Sequence, residues 1–60
     1  MSRTEEIRIL KYAIRGARAK LRNYKQQFKQ TGSKYFDDKC RETRRDLSIY
    51  SQRLADLRNS

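Results

Sequence analysis

The chain has no histidine, no proline and no tryptophan, and only one cysteine, Cys40, in 60 residues. Each shortage closes a class of chemistry. A single thiol cannot form a disulfide within the chain. One cysteine without histidine cannot assemble a zinc site from the usual nitrogen and sulfur donors. Ser48 and Ser51 have no imidazole to activate them, which excludes Ser-His nucleophilic catalysis. No run approaches the ~20 apolar residues of a membrane-spanning helix. The first residues lack the apolar stretch of a secretory signal. A lone cysteine without an export signal leads us to expect a reducing, intracellular setting, hence a cytoplasmic location. The inventory supports no catalytic residue, metal ligand, cofactor or small-molecule substrate, and we expect no enzyme.

Helix breakers are scarce. Two glycines and no proline leave long stretches free to be helical. Hydrophobic residues make up 35% and charged residues 38%, a mixture that suits a long helix or coiled coil better than a sheet. The chain is one small domain, residues 1–60. At that size only roughly 60% of the unfolded chain's surface is buried on folding, so the core must be thin.

Two periodic segments flank one break, Gln30-Thr31-Gly32-Ser33. Gly32 can adopt the left-handed conformation that closes a helix. Ser33 can then cap the next helix, with Asp37 and Asp38 near its positive end. These paired carboxylates complement the helix dipole rather than forming a metal or catalytic site. Ser2 and Glu5 have capping-box spacing at the first helix. The prediction is helix 1 over about residues 3–30, a turn at 31–33 and helix 2 over about 34–58, with boundary errors of about 2–4 residues.

Both segments keep a heptad period. Ile7, Leu10, Ile14, Ala17, Leu21, Tyr24 and Phe28 alternate steps of three and four, as do Phe36, Cys40, Thr43, Leu47, Tyr50, Leu54 and Leu57. Folding at Gly32 would pair Phe28 with Phe36, Tyr24 with Cys40, Leu21 with Thr43, Ala17 with Leu47, Ile14 with Tyr50, Leu10 with Leu54, and Ile7 with Leu57. The expected fold is an all-α, two-helix antiparallel coiled-coil hairpin, open to dimerisation into a four-helix bundle. The competing fold is one continuous helix in a parallel coiled coil; the Thr-Gly-Ser break opposes it.

The formal net charge is +9, which favours an anionic partner. It is unevenly placed. No acidic residue occurs between Ile7 and Phe36. Within that span Arg8, Lys11, Arg15, Arg18, Arg22, Lys25 and Lys29 again step by three and four. They are displaced about 100° from the seam and form a ridge about 30 Å long. Antiparallel pairing should bring Arg44 near Arg18 and put Arg41 and Arg58 on the same flank, with Asp37 the nearby acid. On the other flank Lys20 should meet Asp46. A merely solvated face normally mixes both signs, because opposite charges at i,i+4 help a helix and like charges hurt it. An acid-free row of seven cations is self-repelling and points to function.

A further face of helix 1 is uncharged: Ile9, Tyr12, Ala13, Gly16, Ala19, Asn23, Gln26 and Gln30. Gly16 costs a helix roughly 1 kcal/mol relative to alanine. Ile9, Tyr12, Ala13, Gly16 and Ala19 are candidates for a protein interface, with a second copy or a partner helix supplying missing core; the alternative is scattered surface residues of no consequence. Cys40 reads as a buried structural thiol. Tyr24 and Tyr50 read as core. Tyr12 and Tyr35 read as exposed, suited to stacking on a base or packing on a partner.

Thr31-Gly32, followed by Arg41-Glu42-Thr43-Arg44-Arg45-Asp46-Leu47, resembles the second-helix region of the small two-helix protein family of the large ribosomal subunit. That family is a basic antiparallel hairpin that binds ribosomal RNA. The likeness spans about a quarter of the chain and ends at Leu47, where Ser48-Ile49-Tyr50-Ser51 replaces a more basic run. The first helix is also longer than the family's. The resemblance implies that a basic hairpin of this size can serve as an RNA-binding part.

The leading expectation is a non-enzymatic nucleic-acid-binding hairpin and homodimer. Arg8, Lys11, Arg15, Arg18, Arg22, Lys25 and Lys29, with Arg41 and Arg44, would contact phosphates. The alternative is a small regulator, inhibitor or adaptor docking on an acidic face of a larger protein. A membrane-surface helix is the least favoured reading, because the two apolar seams complement each other.

Overall fold

The computed structural model describes residues 2–59, and it is a helical hairpin: α1, Arg3–Thr31, and α2, Lys34–Asn59. Each end observed lies within one residue of the sequence prediction. Among the described residues there is no strand, and neither helix is long and apolar enough to cross a membrane.

Local chemistry sets the boundaries. Ser2 is extended, and its hydroxyl oxygen accepts the Glu5 N–H at 3.2 Å. Gly32 closes α1 in the left-handed region, at φ 66° and ψ 13°, where its N–H donates to the Phe28 carbonyl at 2.7 Å. An L-side chain there costs roughly 1–2 kcal/mol, which is why the turn uses glycine. Thr31 braces the same turn. Its hydroxyl donates to the Gln27 carbonyl at 2.9 Å and accepts the Ser33 N–H at 3.2 Å. Ser33 then caps α2 by accepting the Tyr35 N–H at 3.2 Å.

The hairpin is a rod whose Cα atoms extend 43 × 14 × 14 Å. Its core is thin, as chain length requires. Ile14, Ala17, Cys40 and Thr43 are buried, but no described side chain is wholly enclosed. The buried Thr43 hydroxyl donates to the Lys39 carbonyl at 2.7 Å, so its polarity is satisfied within the helix. Every seam residue is buried or half-buried except Phe28, which is 39% exposed.

Phe28 departs from the expected layering because Phe36 packs elsewhere. The Phe36 ring lies 6.5 Å from Tyr24, between ring centroids, one helical turn from the predicted partner. α2 begins only two residues before Phe36. Gly32 and Ser33 therefore occupy the end of the hairpin next to Phe28, and they carry too little side chain to cover a ring. Near the open end, Arg53 grips Glu6 through Nη2 at 2.7 Å and Nε at 3.1 Å.

The two glycines should respond oppositely to alanine. Gly32→Ala should lower unfolding free energy by about 1 kcal/mol, since its φ is left-handed. Gly16→Ala meets no atom within 4 Å and should raise it by just under about 1 kcal/mol. Urea unfolding at fixed protein concentration measures both; equal signs would refute the assignment.

Candidate functional site

α1 runs without interruption through all seven ridge cations, and every one is exposed. An uninterrupted helix keeps such a row free of sharp kinks, which need a proline, a bulge or an inserted group. Three ion pairs form among the described residues, and none involves the ridge. Lys39 and Glu42 lie 3.4 Å apart, Arg41 and Asp37 3.7 Å, and Arg53 and Glu6 2.7 Å. No described carboxylate comes within 4.0 Å of Arg8, Lys11, Arg15, Arg18, Arg22, Lys25 or Lys29.

Between the helices, on the ridge side, lies a groove of about 690 Å³. Lys11, Arg15, Arg18 and Arg22 line it from α1, and Ser51 and Arg58 from α2. Ile14, Leu54, Ala19 and Ala55 provide apolar lining. No carboxylate of the described residues borders it. Long basic side chains can lay their methylene stems along such a surface and hold the charged ends in water. The arrangement can bind an extended or multiply charged anion; no three His, Cys, Asp or Glu side chains cluster to hold a metal among the described residues.

The predicted site residues are not all equivalent. Arg8, Lys25 and Lys29 prolong the ridge beyond the groove rather than lining it. Arg41 is drawn to Asp37 and borders a separate shallow cleft with Glu42 and Arg45. Arg44 is exposed and does not line the groove; from α2 that role falls to Ser51 and Arg58. The sequence carries the signal for both, since Asp37, Arg44, Ser51 and Arg58 recur every seven residues, one position past the seam.

The opposite flank differs in kind. Its groove, about 390 Å³, is bordered by Lys20, Lys39, Glu42 and Asp46, together with Ala13, Gly16, Tyr24 and Tyr50. Both charge signs meet there. The pair expected between Lys20 and Asp46 does not close to 4.0 Å, although both line the same groove. The Glu42 carboxylate raises the Lys39 pKa above its ordinary value, first by its charge and then by its hydrogen bond; Tyr35 adds a smaller effect.

The structure splits the uncharged face. Ala19 lines the basic groove, whereas Ala13 and Gly16 line the opposite one. Ile9 and Tyr12 lie exposed outside both, Tyr12 at 67%.

No family, curated protein or solved structure matches the chain.

Self-repulsion along the ridge should be measurable. Arg18→Glu would replace two like-charge neighbours, Arg15 at i−3 and Arg22 at i+4, with opposite-charge pairs. Stability at low salt should rise by about 1 kcal/mol, because each of the two pairs loses a repulsion and gains an attraction of a few tenths each. Thermal melts should show the gain shrinking as salt is added. No gain at low salt would mean the cations are already neutralised.

Proposed function

We propose that the protein binds nucleic acid through phosphate contacts along the ridge and its groove. The observation that carries this reading is an unbroken row of seven exposed cations with no carboxylate partner among the described residues, joined by Arg58 across the groove. Such a row costs folding stability through like-charge repulsion. A polyanion laid along it removes that repulsion and releases its own condensed counterions, which drives association. Phosphate contacts of this kind fix position and supply affinity without reading sequence.

The apolar lining of the groove favours a second reading. Ile14, Leu54, Ala19 and Ala55 beneath a cationic rim suit the acidic, amphipathic helix of a larger protein, which the chain would regulate as an inhibitor or adaptor. Its interface would have an apolar centre with charges steering the approach. Recovery of one protein partner that survives nuclease treatment supports this reading over the first.

We also propose a homodimer through the flank bearing Ala13 and Gly16. Both charge signs line that groove, so the face is complementary to itself under two-fold symmetry. Exposed Ile9 and Ile49, together with a core lacking any wholly enclosed side chain, leave apolar surface for a second hairpin to cover. Sedimentation should find a dimer that Gly16→Leu dissociates; a monomer at every concentration removes the proposal.

For the nucleic-acid reading, fluorescence anisotropy with labelled oligonucleotides is decisive. With about six phosphate contacts, affinity should fall roughly 10³-fold between about 50 and 200 mM salt. Arg15→Glu with Arg22→Glu should abolish most binding at intermediate salt, whereas Lys20→Gln on the other flank should change it little. A flat salt response, or no binding at low salt, rules the reading out.

A further inference from the structure

We infer that the nucleic acid gripped by the ridge is a paired duplex rather than an unpaired strand. This deepens the nucleic-acid reading and rests on it. The observation behind it is the placement of the aromatic rings relative to the cations.

Proteins that hold single strands combine a basic groove with successive aromatic side chains, because each unstacked base needs a ring to lie on. The basic groove here has no aromatic lining. Tyr24 and Tyr50 line the opposite groove and are half-buried. Tyr35 is engaged locally: it meets Phe36 edge-on at 5.2 Å, and the Lys39 ammonium sits 5.5 Å from its ring centre. Two exposed rings border the ridge: Tyr12, four residues after Arg8 and three before Arg15, and Phe28, three after Lys25 and next to Lys29. Sixteen residues apart, about 24 Å along the helix, they can each stack one base but cannot form a run of successive stacking faces. The apolar part of the groove is Ile14, Ala19, Leu54 and Ala55, aliphatic side chains that offer no aromatic stacking face.

The shape of the cation row fits a duplex. An unbroken helix presents its charges at regular spacing, over about the length of one duplex turn, roughly 34 Å. A duplex offers phosphates that are already ordered, so binding costs less conformational entropy than draping a flexible strand along a rigid rod. Each phosphate contact also releases more counterion from a duplex, about 0.9 against about 0.7 from a single strand. The chemistry shared by DNA and RNA duplexes is a fixed row of phosphates, and that row is the ligand inferred.

The test is anisotropy at low salt, using the full chain and labelled mixed-sequence probes of about 30 nucleotides, roughly three duplex turns. The probes are a DNA duplex, an RNA duplex of the same sequence, and the component single strands. At least one duplex should bind about 10-fold or more tightly than any single strand, as expected where stacking adds nothing to strand affinity. Tyr12→Leu, which keeps bulk but removes the ring, should leave duplex affinity unchanged. Single strands binding as tightly as duplexes, or a large duplex loss in Tyr12→Leu, would overturn the inference while leaving the nucleic-acid reading in place. Failure of every probe to bind at low salt overturns both.

Discussion

The fold-back at Gly32 is the constraint on which the remaining structure depends. A left-handed residue at φ 66° reverses the chain and lays two heptad seams against each other. Neither helix could be relied on alone, since isolated helices gain little from propensity and need an apolar face to pack on. The contact is narrow. Ile14, Ala17, Cys40 and Thr43 are its buried centre, and the aromatic pair Tyr24 and Phe36 closes it towards the turn. With so little core, the hairpin's stability is sensitive to terms that a larger protein would absorb, including a cap, a turn glycine and a row of like charges.

That sensitivity gives the charge distribution its meaning. The two flanks of the seam are built on different rules. One carries the tie between Arg53 and Glu6 and the pair of Lys39 with Glu42, so its cations are partly answered. The other gathers Lys11, Arg15, Arg18, Arg22 and Arg58 around a groove that no acidic side chain borders among the described residues. A marginal fold therefore carries unanswered repulsion on one flank. The cost is small per pair, a few tenths of a kcal/mol, yet it recurs along the whole ridge.

Much of the fold was legible in the residues. Ser2, Gly32 and Ser33 marked the helix ends, and the alternating three- and four-residue steps marked the seam, because capping and periodicity are local. Phe28 was the exception. Its period placed it on the seam, but coverage depends on what the facing helix supplies, and beyond Phe36 that helix has only the turn. Lys20 and Asp46 likewise share a groove without touching, since register alone does not fix side-chain reach. The uncharged face, continuous on a helical wheel, divides between two grooves at Ala19 and Gly16.

The sequence by itself determined that two helices form, where they meet, and that the seven ridge cations of α1 share one side. Those properties follow from neighbours within one or two turns of a residue. Only the tertiary structure decided which residues of α2 complete the basic groove: Arg58 and Ser51 line it, while Arg41 turns to Asp37 and Arg44 lies outside. The reason is geometric. A groove between helices is shaped by the axial offset and rotation of one helix against the other, and those depend on how side chains from distant parts of the chain pack together.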